Sequence, residues 1–312
     1  MCSNINRQTE GLGMKSEQNR GYLLILTAGA LWGSIGFFAT LLSRQGMNAG
    51  AVAFFRILSS AVMLALLLLV RGKGTALFRI SRRGAVSCML IGFISQALFN
   101  VCYMNAIEQT GMATAAVFLY TSPIYVAVLS RVFFHEPLTG NKILAIVINI
   151  IGCILTVTGG SFSDMKASAF GLIMGILAGF TYALLPILSR TGASEENPYT
   201  AAFYGQVFGT VLLFFLVRPY QNAGAVFSWQ LLLILIGFGI VPSALAYVAY
   251  YGGLSRIAET SKVPVMASVE TVVAAGIGRL AFGERLGAVK LLGIALVLCS
   301  IVIMNRKSTA AS

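Results

Sequence analysis

Runs of about 20 apolar residues, separated by short polar breaks, follow one another along this chain. This is the pattern of helices that cross a hydrocarbon core about 30 Å thick. Ten runs are legible, at residues 22–42, 51–70, 84–105, 112–133 and 142–159, then at 169–189, 200–217, 230–251, 261–281 and 287–304. Pro123, Pro242 and Pro264 interrupt or open the fourth, eighth and ninth runs. Proline is tolerated in lipid where neighbours satisfy the carbonyl it frees, so these positions predict bends.

The pattern is also written twice. The stretch LWGSIGFFATLLSRQG, from Leu31 to Gly46, returns as LAGFTYALLPILSRTG, from Leu177 to Gly192. SRVFFHEPLTGNK, from Ser130 to Lys142, returns as GRLAFGERLGAVK, from Gly278 to Lys290. In the second match Arg131, Phe134, Glu136, Leu138 and Lys142 align with Arg279, Phe282, Glu284, Leu286 and Lys290. Each copy holds an odd number of spans, so the second lies upside down relative to the first. The expected fold is an all-α polytopic membrane protein of ten transmembrane helices, arranged as two inverted five-helix repeats. The first repeat covers 22–159 and the second 169–304, with a tail at 1–21, a linker at 160–168 and a tail at 305–312. Secondary transporters are commonly built this way, with the substrate site near the midplane between the copies.

Length alone suggests two soluble domains. Composition overrules that, because 57% of the residues are hydrophobic and only 10% are charged, against about 25% charged in soluble domains. The net charge of +12 reads as topology. Ten spans put both termini and the even-to-odd loops on one side, which collects fifteen of the 22 Lys and Arg residues. Six fall on the other side, and Arg56 lies within a helix. The positive-inside rule then places both termini in the cytoplasm and the protein in the cell (inner) membrane. A nucleic-acid partner is not expected, since the basic residues are spread along the chain and only 79–83 cluster. Residues 1–20 are polar and hold no signal-peptide core, so the first helix reads as an uncleaved anchor. Cys88, Cys102, Cys153 and Cys299 lie inside predicted spans without metal-ligand spacing and read as small apolar residues. No metal and no cofactor are expected.

Glu270 is the leading functional candidate. It lies nine residues past Ser261, about 14 Å into the ninth helix and near mid-membrane. Intramembrane carboxylates face a cavity or a partner, and burial disfavours their charged form. That suits a group that binds a proton or a substrate ammonium; the alternative is a helix-tying hydrogen bond through Ser268, Thr271 or a tyrosine. Arg56 either attracts a carboxylate or snorkels to the nearby surface. Lys262 reads as an interfacial anchor at the start of the ninth helix. Gln96, Asn100 and Tyr103 share one stripe of the third helix, and with Trp32, Tyr182 and Tyr247 form a candidate cavity lining. Tyr250, Tyr251 and Trp229 fit either that lining or the interfacial aromatic belt. Glu136 and Glu284 read as acceptors for free amides at the starts of the fifth and tenth helices. His135 reads as a solvated loop residue. Gly171, Gly175 and Gly179, and likewise Gly29, Gly33 and Gly36, form small-residue rows that permit close helix approach. GMATAA and GLGMKS lack phosphate-loop context, and no carboxylate pair, catalytic triad or zinc spacing is present, so no catalytic residues are expected.

LWGSIGFF in the first helix, Arg56 early in the second, and Glu270 followed by the GER-L ending of the ninth together resemble the EamA family of the drug/metabolite transporter superfamily. The resemblance runs from about Tyr22 to Met304. It implies exporters or exchangers of amino acids, related metabolites and drugs, with a cavity lined by both repeats. The chain departs from the family pattern at Thr271, where Pro often follows the glutamate, and at Ser122, which precedes Pro123 in the first copy. Lys262 is a further departure. The function expected is secondary active transport of a small amphipathic metabolite such as an amino acid or amine, by alternating access, with export the direction the resemblance implies and proton coupling an option. The partners are then a small-molecule substrate and the lipid bilayer, with a homodimer left open. The competing readings are a carrier of phosphorylated or nucleotide-linked solutes, which would want several cavity cations, and a lipid-handling membrane protein without transport.

Overall fold

The computed structural model describes residues 2–71, 76–161, 168–222 and 228–305. Parts of the expected linker (162–167) and C-terminal tail (306–312), and with them Lys73, Lys166, Arg306 and Lys307, lie outside the described residues. Among the described residues ten helices are long and apolar enough to cross a membrane, and we label them α1 to α10. The first five are α1 (Ser16–Arg44), α2 (Ala49–Arg71), α3 (Arg82–Thr110), α4 (Thr114–Phe134) and α5 (Gly140–Thr158). The second five are α6 (Ala169–Thr191), α7 (Pro198–Val217), α8 (Trp229–Leu254), α9 (Thr260–Phe282) and α10 (Ala288–Asn305). The backbone of α1 is already helical from Cys2, upstream of the start expected at Tyr22. Among the described residues there is no strand.

The two halves are exchanged by their own packing. α1 lies on α8 and α9 as α6 lies on α3 and α4; α2 crosses α8 as α7 crosses α3; α2 with α7, and α5 with α10, pair with their own equivalents. The local geometry repeats as well. α4 ends on His135 in the left-handed region (φ 56°), and α9 ends on Gly283 at φ 70°. The following amides return to equivalent carbonyls, Glu136 N to Ser130 O at 3.3 Å and Glu284 N to Gly278 O at 3.1 Å. His135 is therefore part of a helix-ending turn.

Several spans are broken or widened near mid-length, where the freed backbone groups are useful only if something lines them. α1 breaks at Gly33–Ser34, α4 at Tyr120–Thr121 ahead of Pro123, and α9 at Ser268. α3 and α8 carry wide turns at Ile91–Leu98 and Ile240–Leu245. Pro242 lies inside the second of these, as its position predicts. Pro264 does not bend α9, because it occupies the first turn of its segment, where a missing N–H is harmless.

Lipid supplies no hydrophobic force between helices, so association rests on close approach. A Cβ at Gly33 would stand 2.7 Å from the Glu270 carbonyl oxygen, and one at Gly29 would collide with the Ala267 carbonyl. Gly175 and Gly179 hold α6 against Phe118 of α4 in the same manner, whereas Gly36 meets nothing. Large apolar side chains such as Leu66, Val128, Ile173 and Leu292 cover the outside of the bundle.

Candidate functional site

The break in α9 is a built feature. Ser268 donates to Val265 O at 2.6 Å and accepts from Asn149 Nδ2 of α5 at 2.6 Å, while the same amide reaches Ser300 Oγ of α10 at 2.9 Å. Thr271 turns back to donate its hydroxyl to Ser268 O at 2.9 Å. Glu270 therefore emerges two residues past a pinned break, with its own backbone pressed on Gly33 of α1. Ser268 and Thr271 are engaged elsewhere, so neither ties down the Glu270 carboxyl. Among the described residues that carboxyl has no hydrogen-bond partner and no ion pair.

Polar hydroxyls gather around it. The Glu270 carboxyl lies within electrostatic reach of Tyr103, Tyr120 and Tyr182, and of the Cys153 thiol. Tyr182 is also within reach of the Arg56 guanidinium. Phe99 links these residues, stacked on Tyr103 at 5.6 Å and tilted on Tyr182 at 5.4 Å. A narrow cleft beside them is lined by Trp32, Ser122, Tyr182, Pro186, Tyr250 and Pro264, drawn from α1, α4, α6, α8 and α9 and thus from both repeats. Trp32, at the end of the first segment of α1, packs edge-on to Tyr247 at 5.5 Å and tilted on Tyr250 at 5.3 Å.

Not every expected residue joins this group. Gln96 packs against Gly209 at the α3–α7 crossing, and its buried Oε1 has no hydrogen-bond partner among the described residues. Asn100 donates to Gln96 O at 2.6 Å within its own helix. Arg56 is only 7% exposed, so it is withdrawn among the helices and does not snorkel; among the described residues it forms no ion pair. Trp229 is exposed as a belt residue would be, whereas Tyr250 and Tyr251 are buried.

Sequence reasoning passed over Asn149 and Tyr120, and named Ser122 only as a departure from the family pattern. Asn149 was findable, being an amide inside an apolar run like Gln96 and Asn100. Glu136 corrects an expectation. Its carboxylate does not serve the start of α5. It accepts from Thr260 N at 2.6 Å, Ser261 N at 3.0 Å and Ser261 Oγ at 2.7 Å, all at the start of α9. The left-handed turn at His135 swings the carboxylate onto the neighbouring helix. Arg190 closes the group, 3.3 Å from Glu136 and donating to Thr260 Oγ1 at 2.6 Å. Beside it Glu259 pairs with Lys142 at 3.1 Å and Lys262 at 2.6 Å. Lys262 is thus a paired cation more than a bare anchor.

The description "EamA-like transporter family" matches residues 19–158 and again residues 169–306. An uncharacterized transporter of Archaeoglobus fulgidus is 32% identical over 68% of this chain and 75% of its own length. The pseudopaline exporter CntI of Pseudomonas aeruginosa is 27% identical over 83% of this chain and 87% of its own. The uncharacterized inner membrane transporter YicL of Salmonella typhimurium is 24% identical over 93% and 96%. A solved crystal structure superposes with a TM-score of 0.76 at 16% identity, covering 91% of this chain and 97% of the other, a likeness of fold alone.

Proposed function

The chain belongs to the EamA-like transporter family and is a multi-pass membrane transporter, and from that premise we propose that it is a secondary carrier of a small amphipathic metabolite of the amino acid or amine class. The solute binds between the repeats, against Glu270 and the aromatic wall of the cleft. The two halves rock about it and open the site to each face in turn.

Glu270 carries this reading. An acid at mid-span with no hydrogen-bond or ion-pair partner among the described residues, within electrostatic reach of tyrosines from both repeats, supports a role in taking up a proton or a substrate ammonium. Arg56, which forms no ion pair among the described residues, supplies a positive charge within electrostatic reach of Tyr182, so a solute bearing both an amine and a carboxylate complements the site. Phosphorylated solutes fit less well, because Lys262 is already engaged by Glu259, at the start of α9 and away from Glu270. The name of the Pseudomonas relative supports export as the direction. The excess of Lys and Arg on the face that carries the chain termini supports a cytoplasmic placement of that face.

Purified protein in proteoliposomes, offered amino acids, amines and sugars with and without a pH gradient, tests this. We expect saturable uptake of one amine or amino acid class and none of sugars. Glu270→Gln should abolish that flux, or free it from the pH gradient, at unchanged expression. Wild-type flux in the variant removes Glu270 from its role, and uptake confined to sugars or phosphates overturns the substrate class.

A further inference from the structure

The inverted repeat allows one face of the molecule to be compared with the other, residue by residue. Call the face bearing the start of α1 and the end of α10 the terminal face. There Glu136 is 5% exposed and collects two backbone amides, one hydroxyl and the Arg190 guanidinium. Arg190 also lies 5.2 Å over the Phe134 ring. α4, α6 and α9, drawn from both repeats, are thereby tied together.

The equivalents on the opposite face are Glu284, Arg44, Phe282 and the helical turn from Met112 that leads into α4. Arg44 lies 5.4 Å over the Phe282 ring, so that half of the arrangement is reproduced. The carboxylate half is not. The Glu284 side chain is 53% exposed and folds back toward Gly278 of the helix it follows, and among the described residues its ion pair is to Lys290 at 3.6 Å. Arg44 has no ion pair among the described residues, and Met112, which stands where α9 has Thr260, is 70% exposed. One cluster is made and its counterpart is waiting.

We propose that Glu136, Arg190 and the Thr260–Ser261 start of α9 form a latch that shuts the terminal face, and that Glu284, Arg44 and the start of α4 form the alternating latch of the opposite face. The proposal rests on the alternating-access reading above. Each half takes up the other's conformation when the site turns, so Glu284 then receives the α4 amides while Glu136 gives up those of α9. A buried carboxylate that loses only its cation is left uncompensated, so the Glu136 cluster opens as a unit. Met112 lacks the hydroxyl that Thr260 offers to Arg190. The opposite latch is therefore the weaker, which agrees with the terminal face being the closed one here.

A cysteine at Val263, in a chain otherwise free of cysteine, reports the state of the terminal face. Val263 is 1% exposed and lines the cleft behind the latch. A membrane-impermeant maleimide is applied from the terminal side, and the labelling rate is read. Glu136→Gln keeps the shape but turns two donors toward the α9 amides, so labelling should rise about tenfold or more. Arg190→Ala should raise it in the same direction, and Glu284→Gln should leave it low. Unchanged labelling in both Glu136→Gln and Arg190→Ala, in protein that elutes and melts as the parent does, overturns the latch. A labelling shift in a protein that carries no amine or amino acid sinks the proposed substrate and leaves the latch standing.

Discussion

Glu136 and Glu270 are both drawn away from water, with opposite outcomes. Glu136 accepts from four donors, whereas Glu270 has none among the described residues. The first is spent on structure, and the second is the acid we propose for proton or substrate binding. Depth alone made Glu270 legible, because an acid nine residues into an apolar run stands out in any reading. The partners of Glu136 were not legible, since Thr260 lies 124 residues away and only a folded chain brings it near. Glu259, in the loop before α9, adds a prediction that pH can test. Burial pushes its carboxyl up, but hydrogen bonds and charge from Lys262 and Lys142 outweigh this and hold it below its ordinary value. A depressed folded value means the stabilisation is fully present above the unfolded pKa of about 4.3 and is lost only as pH falls through the lower folded value. Glu259→Gln should therefore lower the melting temperature at pH 7, and the gap from the parent should close only below about pH 4. A gap that stays constant through acid removes the ion pairs from the account.

At the scale of elements, the ten spans were readable from hydropathy, but their interruptions were readable only where proline marks them. The wide turn of α8 contains Pro242; its counterpart in α3, at Ile91–Leu98, has no proline and no sequence sign of its own. The break of α9 falls at Ser268, four residues past Pro264, where Ser268 accepts from the Asn149 amide that also reaches Ser300. Such polar clamps join α5, α9 and α10 through positions far apart in the chain, which no local pattern reports. The α1–α9 contact makes the element-scale prediction. Gly33→Val would place a side chain against the Glu270 carbonyl and Val273, both at 2.7 Å from a bare Cβ. Overpacking of this kind typically costs about 1–3 kcal/mol, so we expect a lower melting temperature together with loss of transport. Gly36→Val, which meets nothing, should melt as the parent does. Equal melting of the two variants refutes the close approach.

For the whole molecule, two short matched phrases were enough to read an inverted duplication, because each encloses an odd number of crossings. The same count predicts topology. A fluorescent protein fused after α10 should glow and alkaline phosphatase at the same place should be silent, with the reverse result in the α5–α6 connection. Matching signals at the two sites would overturn the inversion. What hydropathy did not give is the pairing of helices across the halves, since lipid-facing and partner-facing apolar positions are written with the same residues. That pairing has a mechanical consequence. Swapping the conformations of the two halves trades the α1–α8 contact for α6–α3 and α1–α9 for α6–α4, but it returns α5–α10 and α2–α7 to themselves. α5 and α10 meet backbone to backbone at Gly152 and Gly293. On the alternating-access reading proposed above, this seam looks the same whichever way the protein faces, which makes it the fulcrum on which the rest of the molecule would tilt.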